Sequence, residues 1–227
     1  MFLRIAKLLN ADQIAQIVAM MDGARYKEGR ETGGAAIQDI KNNQQVDREN
    51  SDGVAEADKL LLAALAGNGS LRASVLPKRI LPPYYVKYTP GMAYGAHVDN
   101  PMMAAETGGP ALRTDVSVTV FLNAPEDYDG GELQIKGDMG DAKIKLPAGD
   151  AVVYPTGAIH QVLPVTKGER RVAVSWMQSM IADPTRRRIV YELDLVCQSL
   201  HAKMPNSDEH RALMRNYGNL LRLWAEP

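Results

Sequence analysis

The sequence is poor in the side chains that disulfides and soft metal sites require. Among its 227 residues there are one cysteine, Cys197, and four histidines. A single thiol excludes a disulfide framework, a zinc ribbon and an iron–sulfur cluster, because each of these needs several cysteines. A metal site in this chain must therefore be built from histidines and carboxylates, so the position of each histidine carries information.

The chain also lacks an excess of charge and a long apolar run. Its 26 basic and 27 acidic residues leave a net charge of −1, which argues against nucleic-acid binding by bulk electrostatics. Arg4 and Lys7 interrupt the apolar N-terminus, so no secretory signal fits, and no stretch approaches the ~20 apolar residues of a membrane span. We therefore expect a cytoplasmic protein with no nucleic-acid partner and no membrane partner, as the low cysteine content also suggests.

The first of three regions, residues 1–78, predicts helices and a long polar connection. Asn10 is a candidate cap for a helix with apolar residues at helical spacing, and residues 55–65 predict a second helix. The stretch 28–50 between them is polar. We predict that this region is an N-terminal helical and loop support.

The middle region, residues 79–180, has the pattern of an all-β core. The predicted strands are 84–88, 94–98, 114–122, 132–136, 142–146, 151–154, 161–165 and 170–177. About eight short strands separated by glycine- and proline-containing turns are typical of a sandwich or a double-sheet jelly roll. The expected fold class is mainly β with flanking helices.

The third region, residues 181–227, predicts a C-terminal helical extension. Asp183-Pro184 is typical of a helix start, and Asn206 with Glu209 resembles a capping box for a second helix. Each helix has one apolar stripe, which needs a surface to cover it. Packing on the β region is one use of these stripes, and a homo-oligomeric contact is the other.

Two of the four histidines fall in the β region near a carboxylate. His97 and Asp99 are two residues apart, so in extended backbone they point to one face and can meet the same ion. His160 begins a later strand, which antiparallel folding can bring beside them. Two imidazoles and one carboxylate with open positions are the ligand set of non-haem Fe(II) oxygenases. His201 and His210 lie in the helical region, where we interpret them as solvated side chains.

Arg170 adds a cation to this group. It stands ten residues after His160, and the turn at Lys167-Gly168 would set the two strands as a hairpin. Its planar fork suits a carboxylate, whereas the adjacent Arg171 must point the other way. A metal dication, one ligand carboxylate, a dianionic keto acid and one arginine together sum to about zero charge.

This pattern resembles the Fe(II)- and 2-oxoglutarate-dependent dioxygenases of the prolyl-hydroxylase type. The similarity covers about residues 79–180 and includes the text around the metal motif, at 88–91, 121–123, 130–133, 147–155 and 170–176. The segment 41–45, the chain length and the C-terminal helices are more narrowly similar to the bacterial PKHD-type hydroxylases, a group also described as iron-uptake factors.

The resemblance implies a double-stranded β-helix (jelly-roll) core that couples oxidative decarboxylation of 2-oxoglutarate to hydroxylation of a substrate by O2. His97, Asp99 and His160 match the iron ligands. Arg170 matches the residue that binds the distal carboxylate of 2-oxoglutarate. Tyr88 matches a tyrosine that hydrogen-bonds the co-substrate, or else it is a core aromatic. The cofactors implied are Fe(II) and 2-oxoglutarate, with L-ascorbate (vitamin C) as a further candidate.

The sequence leaves several alternatives open. Trp176, an even number of residues beyond Arg170, walls the pocket or is a plain core residue. The stretch 100–112 is a lid or a slack connection. The substrate is a protein side chain or a small molecule. The same ligands would also suit a non-catalytic metal-binding or 2-oxoglutarate-sensing protein, or a zinc hydrolase, for which no base is evident.

Overall fold

The computed structural model describes residues 2–32, 38–105, 108–137 and 140–226. In these ranges the chain forms two antiparallel sheets that pack on each other, with helices on the outside of the larger one. Positions 33–37 of the predicted polar connection and positions 106 and 107 of the predicted lid lie outside the described residues. Strands and helices are numbered separately in chain order.

The larger sheet has eight strands, drawn from both the N-terminal and the middle region of the chain. Seven of them lie side by side, and the eighth, β5 (Pro77–Ile80), pairs with the last part of β17. The seven, in spatial order, are β1 (Leu3–Ile5), β14 (Ala151–Pro155), β10 (Val116–Phe121), β17 (Arg170–Ser179), β6 (Tyr84–Tyr88), β4 (Gln44–Val46) and β2 (Tyr26–Glu28).

The smaller sheet has five strands and faces the inner side of the larger one. Its strands, in spatial order, are β13 (Ala142–Ile144), β12 (Leu133–Ile135), β15 (His160–Val162), β7 (Ala93–His97) and β3 (Lys41–Asn42). Two short ribbons complete the β structure, β11 (Tyr128–Gly130) with β16 (Val165–Gly168) and β8 (Met102–Met103) with β9 (Leu112–Arg113). The result is the expected double-sheet jelly roll with helical flanks.

Two apolar cores follow from the alternation of side chains along the strands. The inner core joins the sheets and contains residues of both, such as Tyr88 and Val172 from one and Leu133 and Val162 from the other. The outer core lies between the larger sheet and the N-terminal helices, α1 (Ala11–Gly23), α2 (Val54–Gly67) and α3 (Gly69–Val75). The larger sheet is therefore covered by helices on its outer face, and its inner face meets the smaller sheet, where a site can form between them.

Helix boundaries follow the predicted caps with one exception. Asn10 forms a complete capping box with Gln13, and Asp183 accepts the backbone N–H of Arg186 at the start of α4 (Pro184–Lys203). The predicted cap at Asn206 is wrong by one residue, because Ser207 caps α5 (Asp208–Trp224). Asn206 instead takes a left-handed conformation, with φ of 69°, which asparagine tolerates better than most residues.

The predicted strands are present with shifts of a few residues, but the expected hairpin between His160 and Arg170 is wrong. The predicted strand 161–165 divides between β15 and β16, which belong to different sheets. The chain leaves the smaller sheet after β15, pairs with β11, and enters the larger sheet at Arg170. The turn signal at Lys167-Gly168 indicates a reversal of the chain but does not specify which sheet the next strand joins.

Strands β1 to β4 lie in the N-terminal region, for which the sequence predicts only helices and loops. They join both sheets, and β3 and β4 carry the polar segment 41–45. The division of the chain at 78 and 180 stays a prediction. No helix within the described ranges combines the length and apolar character that crossing a bilayer would need.

Candidate metal and co-substrate site

The two histidines and the aspartate that the sequence singled out converge at one end of the smaller sheet. His97 ends β7 and His160 begins β15, and the two residues are directly paired across the strands. Asp99 follows two residues after the end of β7 and places Oδ1 3.7 Å from His97 Nε2 and 3.8 Å from His160 Nε2. The three possible ligand atoms lie within 4.8 Å of one another, and they form the one such group found among the described residues.

Backbone carbonyls fix both imidazoles. His97 Nδ1 lies 2.8 Å from the carbonyl oxygen of Gly95, and His160 Nδ1 lies 2.9 Å from that of Ala158. Because a carbonyl only accepts, each Nδ1 carries the proton and each Nε2 presents a lone pair to the site. Burial lowers the pKa of His160 although Asp99 acts in the opposite direction, so this ring is held in the neutral form that binds metals.

Asp99 is held as a carboxylate with one oxygen directed at the histidines. Ser117 Oγ donates to Asp99 Oδ2 at 2.7 Å and lies 3.1 Å from Thr156 Oγ1. Burial would raise the pKa of Asp99, but interactions with the neighbouring groups, the Ser117 hydroxyl among them, hold it below its usual range. Oδ1 therefore faces the histidines while Oδ2 is anchored, the arrangement of a carboxylate that supplies one ligand atom.

Arg170 lies on the opposite sheet and is 1% exposed. Its guanidinium lies over two aromatic rings, 5.1 Å from the centroid of Tyr88 and 5.6 Å from that of Phe121. Nε has no hydrogen-bond partner among the described residues, and no ion pair within those ranges includes this side chain. The adjacent Arg171 points outward as expected, to Asp22 at 2.6 Å and Glu169 at 2.5 Å. A buried cation without a carboxylate is costly unless a ligand supplies one.

Tyr88 is the last residue of β6 and pairs with Arg170 across the sheet. Its ring is in the inner core, and its hydroxyl accepts a hydrogen bond from Asn43 Nδ2 at 2.9 Å. Burial raises the pKa of Tyr88, so the phenol keeps its proton. The same residue is thus a core aromatic and a polar group of the cavity, and the two sequence interpretations do not exclude each other.

His97, Asp99, His160, Arg170 and Tyr88 all line one cavity, whose empty space, counting the part open to solvent, is about 780 Å³. Trp176 lines it as well, and its ring makes an edge contact with that of Tyr84 at a centroid distance of 5.3 Å. Trp176 belongs to a small apolar cluster with Leu81 and Leu112, against which Met103 packs. In the stretch 100–112, β8 and β9 pair as a short antiparallel ribbon, and Met103 and Leu112 pack on the apolar wall.

A polar wall from the N-terminal region was missed as part of the site. Thr32, Lys41, Asn43 and Gln45 line the cavity. The sequence held a signal for it, because residues 41, 43 and 45 alternate in the manner of one strand face. The segment lacks the apolar alternation that marks a strand, so the sequence predicted a loop there.

The other two histidines are in the helical extension, as expected. His201 and His210 lie on α4 and α5 with ring centroids 5.0 Å apart. The group of possible metal ligands among the described residues does not include either of them.

Family models match most of the chain in two segments. Residues 84–178 match the 2OG-Fe(II) oxygenase superfamily, and residues 185–226 match the PKHD-type hydroxylase C-terminal domain. The first segment contains both sides of the cavity, and the second contains both C-terminal helices.

Relatives of similar length are also named PKHD-type hydroxylases. A PKHD-type hydroxylase of Cupriavidus metallidurans is 40% identical over 228 residues, covering 100% of both chains. Another, from Janthinobacterium sp. (strain Marseille), is 40% identical over 225 residues, covering 99% of both.

Solved structures agree on the fold. A Pseudomonas putida prolyl-4-hydroxylase superposes with a TM-score of 0.50 at 25% identity, covering 78% of this chain and 92% of that one. A prolyl hydroxylase from Trichoplax adhaerens superposes with a TM-score of 0.56 at 18% identity, covering 83% and 86%. Since the relatives match over the whole chain, this protein belongs to the PKHD-type hydroxylases of the 2OG-Fe(II) oxygenase superfamily, and it is an oxygenase that uses Fe(II), 2-oxoglutarate and O2.

Proposed function

We propose that His97, Asp99 and His160 hold the Fe(II) ion and that Arg170 binds the far carboxylate of 2-oxoglutarate. The observation that carries this assignment is a pair of buried nitrogens lining one cavity, His97 Nε2 and Arg170 Nε, neither of which has a hydrogen-bond partner among the described residues. Buried polar atoms are nearly always satisfied in a finished site. A metal ion would satisfy the first nitrogen and a carboxylate the second.

The charges of the site support the same assignment. A dication, the Asp99 carboxylate, the dianion of 2-oxoglutarate and the Arg170 guanidinium sum to zero, so the loaded centre carries no net buried charge. Because Arg170 is on the sheet opposite the histidines, a dicarboxylate can reach both groups from one position between the sheets.

The protein's own contribution is the orientation of the site's groups and the walls of the cavity. The Gly95 and Ala158 carbonyls hold the ring protons of the histidines away from the metal side, and Ser117 keeps Asp99 turned to it. When bound, iron and 2-oxoglutarate would supply the oxidising chemistry: one oxygen atom of O2 would enter the succinate that forms as 2-oxoglutarate loses CO2, and the other would convert a substrate C–H bond to C–OH. The apolar cluster around Trp176 forms one wall of the cavity.

A protein side chain is the substrate class that we infer. Val98 lines the cavity and is 50% exposed, and Met102, on the nearby hairpin, is 55% exposed. Apolar residues at a cavity mouth suit the residues that flank an oxidised side chain in a peptide. The similar structure from Trichoplax adhaerens is a complex with a hypoxia inducible factor peptide fragment. A small-molecule substrate is the competing class. L-Ascorbate as a cofactor, a link to iron uptake and a contact between copies through α4 and α5 stay predictions.

The function is tested by following succinate and oxygen together. Purified protein with Fe(II), 2-oxoglutarate and ¹⁸O2 is incubated with two fractions of a cell extract, one of proteins and one of small molecules. We expect succinate to form, and mass spectrometry to find the gain of one ¹⁸O atom in a peptide from the protein fraction. His97→Ala serves as the inactive control.

Two outcomes would count against this proposal in different ways. Label found only in the small-molecule fraction would keep the hydroxylase and exclude the protein side chain. Binding of Fe(II) and 2-oxoglutarate without succinate from either fraction would favour the sensing protein.

Loss of the Ser117 hydroxyl should weaken metal binding. With Ser117→Ala, Asp99 Oδ2 loses its donor and the carboxylate is free to turn away, so we expect Fe(II) affinity to fall about 10–100-fold, the usual effect of removing a group that orients a ligand. Anaerobic titration with Fe(II) measures it. Ser175→Ala is the matched control, since that buried hydroxyl donates to the Leu81 carbonyl. Equal affinities in the two variants would contradict the role of Ser117.

A further inference from the structure

Asn43 lies where the chain crosses from one sheet to the other. It follows β3, which pairs with β7 beside the histidines, and precedes β4, which pairs with β6 and so lies beside the strand of Tyr88. The residue is outside the segment that matches the oxygenase superfamily. The N-terminal region therefore contributes a side chain to the space between the two halves of the site.

Gly29 leaves the space that the Asn43 side chain occupies. Asn43 is 2% exposed, and its backbone carbonyl accepts the N–H of Gly29 at 2.8 Å. A Cβ at position 29 would lie 1.6 Å from Asn43 Oδ1, so the amide oxygen occupies the space that glycine leaves. Nδ2 then points to Tyr88 and donates to its hydroxyl at 2.9 Å.

This hydrogen bond decides what the Tyr88 hydroxyl can do in the cavity. A phenol oxygen that accepts from one neighbour keeps its own proton for another acceptor. With the amide N–H on the oxygen, the O–H is left for an acceptor in the cavity that Tyr88 and Arg170 both line. A carboxylate accepts such a donor well.

We propose that Asn43 is a positioning residue for 2-oxoglutarate. Its amide sets the Tyr88 hydroxyl as a donor toward the co-substrate, and its side chain fits in the space that Gly29 leaves. The inference rests on the proposed role of the site, in which Tyr88 and Arg170 face the same ligand. It assigns a co-substrate function to the N-terminal segment 41–45, which the oxygenase core does not include.

The test is a double-mutant cycle between Asn43 and Tyr88, read as the affinity for 2-oxoglutarate. Anaerobic titration of the Fe(II)-loaded protein with 2-oxoglutarate gives Kd, and steady-state succinate formation gives KM and kcat. Asn43→Ala and Tyr88→Phe should each weaken 2-oxoglutarate about five- to tenfold, the size of one net hydrogen bond, while kcat at saturation changes less than about twofold. The double variant should be no weaker than Tyr88→Phe alone, because the amide then has no hydroxyl to orient.

An isosteric substitution covers the case in which Asn43→Ala does not fold. Asn43→Asp keeps the shape but replaces the donor by an acceptor, so the Tyr88 proton would turn to the carboxylate and leave the co-substrate. We expect a loss of affinity at least as large as that of Asn43→Ala. Fe(II) affinity should be unchanged in both. Asn42→Ala is the matched control, because this neighbouring side chain is exposed and reaches the Gly91 carbonyl at 3.4 Å.

The outcomes separate this inference from the proposed function. If Tyr88→Phe binds 2-oxoglutarate as the unmodified protein does, the role of Tyr88 is wrong and the inference falls with it. If Tyr88→Phe weakens binding and the Asn43 effect adds to it in full, the positioning role is overturned while the site assignment stands.

Discussion

Replacing Arg170 with methionine should abolish 2-oxoglutarate binding at ordinary concentrations without unfolding the protein. A bidentate pair makes two charge-assisted hydrogen bonds of ~1.5–3 kcal/mol each, so the loss corresponds to about a hundredfold or more in Kd. The guanidinium is buried with no carboxylate partner among the described residues. An apolar side chain of similar length should therefore leave the melting temperature of the ligand-free protein unchanged or higher.

Arg171→Met is the control for this substitution. That arginine is adjacent in sequence but forms ion pairs with Asp22 and Glu169 on the outer face, so its loss should not change 2-oxoglutarate binding. Isothermal titration of the Fe(II)-loaded variants compares them, and thermal unfolding of the ligand-free proteins checks stability. An Arg170→Met protein that binds 2-oxoglutarate normally would show that another cation holds the co-substrate.

Removing either histidine of the site should eliminate Fe(II) binding. Three side chains share the binding of the metal, so losing one of them is expected to reduce Fe(II) affinity about a hundredfold or more. We expect His97→Ala and His160→Ala to lose the weak visible absorption that appears when Fe(II) and 2-oxoglutarate are added together without oxygen. Activity should be lost in parallel.

The helical histidines provide matched controls for this experiment. His201→Ala and His210→Ala change the same residue type in a pair that is also close, with ring centroids 5.0 Å apart, but they should retain metal binding and the visible band. If a helical variant lost Fe(II) and a variant at position 97 or 160 kept it, the location of the iron site would be wrong.

Much of the core could be predicted from the sequence because its strands are bounded by clear signals. The strand 84–88 stands between prolines and is rich in aromatic and β-branched residues, and its bounds match β6. The grouping of His97, Asp99 and His160 followed from two-residue spacing and antiparallel folding, both of which are local rules. Such local rules are sufficient when the residues of a site lie on or next to paired strands and face one cavity.

The rest depends on tertiary contacts that leave little trace in the local pattern. The segment 41–45 forms strands because its polar side chains contact the cavity and Asn43 reaches Tyr88, whereas strand patterns rely on apolar alternation. Arg170 was placed near the histidines correctly but through the wrong connection, since strand membership in a sheet is a long-range property. The groups that orient His97, His160 and Asp99 are the backbone carbonyls of Gly95 and Ala158 and the hydroxyl of Ser117, which is distant in sequence.

The position of β17 has a consequence for synthesis on the ribosome. It is the last strand of the chain, yet it lies inside the larger sheet between β10 and β6. At about 5–20 residues per second, Tyr88 waits roughly ten seconds after translation for Arg170, its partner across the sheet. During that time β6 and β10 have unpaired edges, which invite wrong pairing. The smaller sheet can bring His97 and His160 together before residues 170–179 have been made, so Arg170 is the last of these side chains to join the site.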